Sequence, residues 1–296
     1  MLPYSGQIGY NDVRGEWGVG NNFSLKTAST GGYGRLNQYS FIQPSYGGNN
    51  YSPTNWYGYV GNYITQTGLF LNYDAWPTVG SYPGSGPITT NTINPGTNDG
   101  TLNNGVGWSS ATGGGTWNFN GANQYIESNN GPNPLNSFSV EIWFKAVGTF
   151  SQGSLAGQSI YNQDDWVNSN MWLLHPNATA ASTTVSFYAN ENPQGSFSIR
   201  SATSGTLSAG NWYQIVGTFG ASGIKIYVNN ALGGTGATSN SGIVDVPPNS
   251  LILAGDPRYD FRRLTGDIAI FNMYNTELST AEISQNWNAY RGRFNL

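Results

Sequence analysis

The sequence of 296 residues contains no cysteine and a single histidine. Disulfide bonds and thiolate metal sites are therefore excluded, and a zinc site, which needs several His or Cys ligands, is nearly excluded as well. Charged residues make up only 9% of the chain, against ~25% in an average globular protein. The net charge is −4, so the basic stripe of a nucleic-acid-binding protein is missing and we expect no nucleic-acid partner.

Long apolar runs are missing too. No stretch approaches the ~20 apolar residues of a transmembrane helix. The start, MLPYSGQIGYND, is polar and glycine-rich, so we expect neither a secretory signal nor a membrane partner. In contrast, the chain has 41 glycines and 14% aromatic residues. Glycine allows tight turns and buried aromatic rings offset chain entropy, so this composition favours a folded β protein over a disordered one.

The chain changes character near residue 65. Residues 1–65 are rich in Tyr, Gly and Asn and lack alternating aliphatic residues. We predict that they form an irregular arm for anchoring or assembly, because so many aromatic side chains favour burial at an interface. A flexible tail is the alternative. Residues 66–296 are predicted to form the second domain.

Short strands with turn signals between them fill this second part. The clearest is FSVEIWFKAV, in which Phe138, Val140, Ile142 and Phe144 share one face. Further strands are predicted in LFLNYDA, TWNFNGANQYIE, TVSFYAN, WYQIVGTF, IKIYVNN, SLILAG and DIAIFNMY. Many short strands at such intervals indicate a sandwich or a barrel.

Some positions within these strands allow finer predictions. Trp117, Phe119 and Tyr125 are predicted to point inward from TWNFNGANQYIE. The pair Asn229-Asn230 predicts a hairpin turn after IKIYVNN, because asparagine tolerates a positive φ. The glycine-rich stretch 233–242 is predicted to be a hairpin or inter-sheet loop, since it lacks the Lys-Ser/Thr of a phosphate-binding loop.

The segment LSTAEISQNWNAYRGRF predicts one short helix near the C-terminus. Ser279 and Glu282 form a capping box at its start. Ile283, Trp287 and Tyr290 follow at i, i+4 and i+7, so they form one apolar stripe. Gly292 is predicted to end the helix.

In order and spacing, these segments resemble the laminin-G-like jelly-roll family of the concanavalin A-like lectin/glucanase fold, over about residues 66–296. They look especially like the versions in virion structural proteins of tailed phages, and the N-terminal stretches SGQI, DVRGEWG, GGYGRLN and WYGY point the same way. The resemblance implies an all-β antiparallel jelly-roll sandwich with one short C-terminal helix, preceded by the irregular aromatic and glycine-rich arm. It also implies a capsid decoration, fibre or tail-associated subunit at the virion surface.

The resemblance leaves a structural calcium open. Family members with this calcium carry an acidic residue in a G-x-I-D-E pattern, where Gly266–Ile270 of this chain reads GDIAI. Ala269 stands at the acidic position, and calcium prefers six to eight oxygen ligands with carboxylates among them. This departure argues against the calcium, and we expect no other cofactor or metal.

The fold also occurs in glycoside hydrolases, whose paired carboxyl groups lie about 5–5.5 Å apart in retaining enzymes. Members of this kind usually take both groups from one strand, spaced E-x-D-x-(x)-E. Here Glu141 stands alone in its strand, and no such spacing occurs elsewhere. We therefore expect no enzymatic activity and assign no catalytic residue.

Two segments have the residues of a carbohydrate site, in which aromatic rings stack on sugars and polar side chains bind hydroxyls. The first is IYNQDDWVNSNMW and the second is GDPRYDFRR. The candidate glycan-binding residues are Tyr161, Asn162, Asp164, Asp165 and Trp166 in the first, and Asp256, Arg258, Tyr259 and Asp260 in the second. Ordinary loop packing or contact with a neighbouring subunit is the alternative for each.

These observations rank three functions. The first is a non-enzymatic virion protein, whose partners are other virion proteins and further copies of itself, a homotrimer being one arrangement. The second is an adhesin that binds host surface polysaccharide, and the third is a glycoside hydrolase.

Overall fold

The computed structural model describes residues 64–129, 136–151, 155–160, 170–191, 198–239, 242–243, 249–255 and 263–296. Residues 1–63 of the predicted arm therefore lie outside the described residues, and the predicted division into residues 1–65 and 66–296 stays a prediction. Within the described ranges, the strands are β1 (Leu69–Asp74), β2 (Ile88–Thr89), β3 (Gly100–Asn103), β4 (Gly107–Ser109), β5 (Thr116–Asn120), β6 (Tyr125–Asn129), β7 (Phe138–Ala146), β8 (Ala156–Ile160), β9 (Asn170–Pro176), β10 (Ser182–Glu191), β11 (Ser198–Ser208), β12 (Tyr213–Gly220), β13 (Gly223–Val228), β14 (Ala231–Gly236), β15 (Asn249–Leu253) and β16 (Thr265–Tyr274). One α-helix, α1 (Thr280–Tyr290), follows them.

The strands form two antiparallel sheets. The first has the order β14-β13-β12-β7-β16-β5-β4, and β1 pairs with β16 beyond the end of β5. The second has the order β11-β10-β9-β8-β15-β6-β3-β2. Neighbours such as β7 and β16, or β8 and β15, are far apart in sequence, as in a jelly roll. The predicted all-β antiparallel sandwich with one short C-terminal helix is confirmed.

The core lies between the two sheets, and β7 shows why these residues form it. Its alternate residues Phe138, Val140, Ile142 and Phe144 all lie in the buried cluster, as predicted. The ring of Phe138 lies 5.6 Å from that of Phe219 in the first sheet and 5.8 Å from that of Phe187 in the second. The ring of Phe138 also lies 6.3 Å from that of Trp172. Burying each such side chain contributes about 1.5–3 kcal/mol, so the alternation of β7 holds the sheets together.

Local turn chemistry joins β13 to β14, and the register of the pair shifts once, between Ile226 and Tyr227. Asn229 and Asn230 have φ of 48° and 68°, and they connect Val228 to its partner Ala231. Asparagine adopts this left-handed conformation at low cost, so the predicted two-residue hairpin is confirmed.

The inward direction predicted for Tyr125 is wrong. Trp117 and Phe119 lie in the buried core, but on β6 it is Ile126 that joins them. Successive residues of a strand point to opposite faces, so Tyr125 and Glu127 both lie on the outward face of the second sheet. The alternation of β5 does not continue into β6, because a turn separates the two strands.

The helix α1 begins directly after Ser279, as the capping-box pattern predicted. Ile283 and Tyr290 are buried and Trp287 is half-buried. The α-helix ends at Tyr290, but a 3-10 turn follows, and the residue with left-handed φ (58°) is Asn295 instead of Gly292. Residues 66–279 form one compact unit, while residues 280–296 belong to a second.

Glycines in β14 allow two backbones to approach closely at the edge of the sandwich. β14 is the last strand of the first sheet and β11 is the last strand of the second, and the two strands lie against each other. A Cβ atom on Gly234 would lie 2.1 Å from the carbonyl oxygen of Thr203, and one on Gly236 would lie 2.2 Å from that of Ser201. The stretch 233–242, predicted to be a hairpin or inter-sheet loop, therefore begins within β14, the second strand of the β13–β14 hairpin.

We predict that Gly234→Ala lowers the free energy of unfolding by about 1–3 kcal/mol. The new methyl group would overlap the carbonyl oxygen of Thr203, whose backbone is held in β11 by its pairing with β10. Urea unfolding followed by tryptophan fluorescence measures this. Gly205→Ala in β11 is the matched control, since a Cβ atom there meets nothing within 4 Å. Equal stability of the two variants would contradict the close approach of β14 and β11.

Candidate functional site

The residues predicted to bind glycans lie outside the described residues, and their assignment stays a prediction. Tyr161, Asn162, Asp164, Asp165 and Trp166 fall between β8 and β9, and Asp256, Arg258, Tyr259 and Asp260 fall between β15 and β16.

The residues that flank these two segments are described. The first segment leaves β8 after Ile160, which pairs with the first residue of β15. The second follows β15 and is flanked by the bridge between Gly255 and Arg263, next to the other end of β8. Five residues of strand span about 13 Å between their ends. The two segments therefore start from opposite ends of β8, and the structure does not bring their bases together.

The middle of the first sheet carries a buried carboxylate. Glu141 lies on β7 opposite Asn272 of β16, on the face turned away from the core, and it is inaccessible to solvent. Trp143 Nε1 and Gln214 Nε2 donate hydrogen bonds to Glu141 Oε1 at 2.9 and 2.8 Å. Asn272 Nδ2 and Tyr274 OH donate to Glu141 Oε2 at 3.1 and 3.4 Å. Three neighbouring strands thus supply donors to both carboxylate oxygens.

This hydrogen-bond network continues across the sheet. Asn272 Oδ1 accepts a hydrogen bond of 2.6 Å from Asn72 Nδ2 on β1, and Asn72 Oδ1 accepts one of 2.6 Å from Thr92 Oγ1. The backbone N–H of Asn72 in turn donates to Asn91 Oδ1. The chain segment after β2 is thereby bound to the first sheet through side-chain amides.

The network decides what Glu141 can do chemically. A catalytic carboxyl group must touch the substrate, either directly or through one water molecule. Glu141 has no exposed surface, and protein donors occupy both of its oxygens. In this arrangement the carboxylate joins three strands and does not reach a substrate.

The residues at the position of the family's calcium pattern, Gly266–Ile270, make other contacts. Asp267 Oδ2 lies 2.8 Å from Lys145 Nζ, and Asn118 Nδ2 donates to Asp267 Oδ1 at 2.7 Å. Ala269 is fully buried beside a β-bulge in β16. Among the residues that the structure describes, no group of three His, Asp or Glu side chains is placed to hold a metal ion. His175 lies in β9, largely buried, with its ring 6.5 Å from that of Tyr188.

A second buried carboxylate closes one end of the sandwich. Glu191, the last residue of β10, pairs with Arg200 of β11 and accepts hydrogen bonds of 2.8 Å from both the backbone N–H and the hydroxyl of Ser239. Burial alone would raise the pKa of the Glu191 carboxyl, but the hydrogen bonds from Ser239 and Arg200 outweigh burial and hold this pKa below its ordinary value. The carboxylate form is thus the one that stabilises the fold.

The outward face of the second sheet carries polar residues that the sequence reasoning missed. Tyr125 and Glu127 follow each other on this face of β6, and Thr101 and Ile252 are the cross-strand partners of Glu127. The guanidinium carbon of Arg263 lies 5.6 Å from the centre of the Tyr125 ring. The Nε and Nη1 atoms of Arg263 and the Oε1 atom of Glu127 are buried and have no hydrogen-bond partner. The signal in the sequence was the alternation around Ile126, which places Tyr125 and Glu127 on one face.

Comparison with known families agrees with this geometry. The model of the concanavalin A-like lectin/glucanases superfamily matches residues 120–284, more than half of the chain. This chain belongs to that superfamily. A search of curated proteins found no match. Within the described ranges, no helix of this superfamily member has the length and apolar character needed to cross a bilayer.

Solved structures share the fold of this superfamily member at low identity. Domain 4 of AbnA, a GH43 extracellular arabinanase from Geobacillus stearothermophilus in complex with arabinotriose, matches 76% of this chain over 100% of its own, with 13% identity and a TM-score of 0.51. Trypanosoma rangeli sialidase in complex with sialic acid matches 86% of this chain over 36% of its own, with 12% identity and a TM-score of 0.53. The botulinum neurotoxin serotype D binding domain matches 74% of this chain, with 14% identity and a TM-score of 0.48, and the chain spans only 51% of it.

We predict that Glu141→Ala lowers the free energy of unfolding by about 3 kcal/mol or more, because it leaves several buried donors without an acceptor. Chemical unfolding of both proteins measures the difference. Glu277→Gln is the control, since Glu277 forms a partly exposed ion pair with Lys225 at 3.1 Å and its loss is expected to cost at most about 1 kcal/mol. A smaller loss for Glu141→Ala than for Glu277→Gln would refute a structural role for the network.

A pH dependence follows from Glu191. Its pKa is lower in the folded than in the unfolded chain, so its contribution is complete above the unfolded pKa of about 4.3 and is lost as the pH falls through the folded value. Glu191→Gln should therefore be less stable than the unmodified protein at pH 7, and the gap should narrow below about pH 4. Thermal unfolding across this range tests the sign. A gap of constant size at all pH values would show that the charge of Glu191 is not responsible.

Proposed function

We propose that this chain is a non-enzymatic structural protein of a virion, which displays the jelly-roll sandwich at the particle surface. The observation that carries the non-enzymatic part is the network around Glu141. Glu141 stands alone as the acidic residue of β7, where a hydrolase of this fold would carry a pair of carboxyl groups. Its two oxygens already accept hydrogen bonds from Trp143, Gln214, Asn272 and Tyr274.

The virion part of the proposal is supported by the sequence. The order of the strand segments and the N-terminal stretches SGQI, DVRGEWG and GGYGRLN resemble structural proteins of tailed phages. In this proposal, residues 1–65 anchor the subunit to other virion proteins or to sister subunits as a capsid decoration, fibre or tail-associated protein. An aromatic segment of low charge suits such an anchor because association buries its rings.

Mass spectrometry of purified virus particles tests this function. We predict that peptides of this chain are found in washed particles, and that a chain lacking residues 1–65 is absent from them. The full chain should release no reducing ends from laminarin-type or host-derived glycans. Particles without this chain, or turnover above that of a heat-denatured sample, would contradict the proposal.

Carbohydrate binding is a second candidate, which is compatible with the first. The observation that favours it is the residue content of the segments between β8 and β9 and between β15 and β16, which include Tyr161, Trp166 and Arg258. These are the side-chain types that bind sugars. A module of the same fold, domain 4 of the arabinanase, is bound to arabinotriose in its structure. In this candidate function the displayed sandwich is an adhesin for host surface glycans.

A further inference from the structure

The C-terminal segment, residues 280–296, has a buried face that lies outside the core of the sandwich. Its residues Ile283, Ala289, Tyr290 and Phe294 are at most 5% exposed. None of these four belongs to the described cluster of buried residues between the two sheets. Residues spaced three and four apart share one face of a helix, so Ile283, Ala289 and Tyr290 form one stripe of α1. This stripe must be covered by something other than the residues of that core.

Asn286 of the same face holds the backbone at the start of the described chain. Its Oδ1 atom accepts a hydrogen bond of 2.8 Å from the backbone N–H of Thr65, and Glu282 Oε1 accepts one of 3.4 Å from the Thr65 hydroxyl. Asn286 and Thr65 are both buried and stand 221 positions apart in the sequence. Asparagine is a weak helix former, and a buried amide is costly unless it is hydrogen-bonded. The backbone that it holds explains its position in α1.

The part of the chain that precedes Ile64 therefore starts beside α1. Ile64 has no exposed surface, and Ile64 and Thr65 form a compact unit with residues 280–296 and not with residues 66–279. The 11 residues of α1 make a helix about 16 Å long, whereas eight extended residues span up to about 26 Å. The eight residues directly before Ile64 are thus long enough to follow the whole helix.

These eight residues, 56–63, have the composition of an apolar cover. They read WYGYVGNY, with no charged residue and with tryptophan or tyrosine at four positions. Aromatic rings bury a large area and lose the freedom of only two side-chain torsions. They suit the stripe of Ile283, Ala289 and Tyr290 better than a polar segment would.

We propose that residues 280–296 are the docking surface for residues 1–63 of the same chain, with WYGYVGNY lying on α1. The covalent link at Ile64 makes this docking intramolecular, and the resulting effective concentration favours it over a second copy or another protein. The inference goes beyond the function proposed above, which assigns anchoring to residues 1–65 alone. The two ends of the chain together form the anchoring unit.

Photo-cross-linking within the full chain tests the docking. The photoreactive residue p-benzoylphenylalanine replaces Trp287 in one variant and Phe294 in another, since both are aromatic residues of the C-terminal segment. Mass spectrometry of chymotryptic peptides then identifies the cross-linked partner. We expect cross-links to residues 1–63 within a single chain. The same probe in place of Leu232, which is 56% exposed on β14, is the control and should give none.

Limited proteolysis measures the contribution of Asn286. Chymotrypsin cleaves after tryptophan and tyrosine, so WYGYVGNY offers four sites. Asn286→Ala removes the acceptor for the Thr65 N–H and should speed cleavage at these sites about tenfold, because cleavage follows the population of the undocked segment. Asn288→Ala is the matched control, since Asn288 is a half-buried asparagine of the same helix, and it should leave the rate unchanged. Thermal unfolding identifies a variant that has lost its fold, and the cross-links do not depend on either substitution.

The remaining outcomes overturn the proposal or one of its parts. If neither probe is linked to residues 1–63, the docking is refuted, whether the probes are linked to residues 66–279 or to a second chain. Links to residues 1–55 alone refute the place of WYGYVGNY. Equal cleavage rates for Asn286→Ala and Asn288→Ala refute the role of Asn286. All of these results concern the isolated chain, so the virion function stands or falls separately.

Discussion

The buried carboxylate of Glu141 is the interaction on which the first sheet depends. Burying a carboxylate is costly unless donors surround it, and here β7, β12 and β16 each contribute at least one. The donors are in place only in one register of the three strands, because a shift of a single residue would turn Glu141 into the core. The hydrogen bond between the side chains of Asn72 and Asn272 specifies the position of β1 against β16 in the same way. These hydrogen bonds explain why strands more than a hundred residues apart, such as β7 and β16, pair in this register.

The sequence predicted those parts of the fold in which alternation and burial coincide. β7 and β13 carry apolar residues at every second position, and β12 and β16 do so apart from Gly217 and the β-bulge between Ile268 and Ile270; all four strands were predicted. In contrast, β11 reads SIRSATSGTLS and β14 reads ALGGTG, and neither looks like a strand. They form because they pair with β10 and β13 and lie against each other, which is tertiary context that no local pattern contains.

The candidate site was less predictable, for a related reason. Aromatic and polar residues between β8 and β9 and between β15 and β16 could be found from composition, but composition does not show which segments share one end of the sheet. The topology separates their bases by the length of β8. Tyr125 and Arg263 are far apart in the sequence, and only the tertiary fold brings the guanidinium to within 5.6 Å of the ring centre. The predicted inward direction of Tyr125 concealed this contact, because an inward tyrosine is expected to be a core residue.

Glu141 and Glu127 show how differently the two sheets surround an acidic residue on their outward faces. Both lie on outward faces of their sheets, and both were only scattered acidic residues in the sequence. Four protein donors surround Glu141, so the folded chain alone accounts for its charge. Glu127 is only half-buried, and its Oε1 atom has no hydrogen-bond partner in the described part of the chain. The cost of burying a charge is therefore offset at Glu141 by four hydrogen bonds, and this is why the first sheet can hold a fully buried carboxylate.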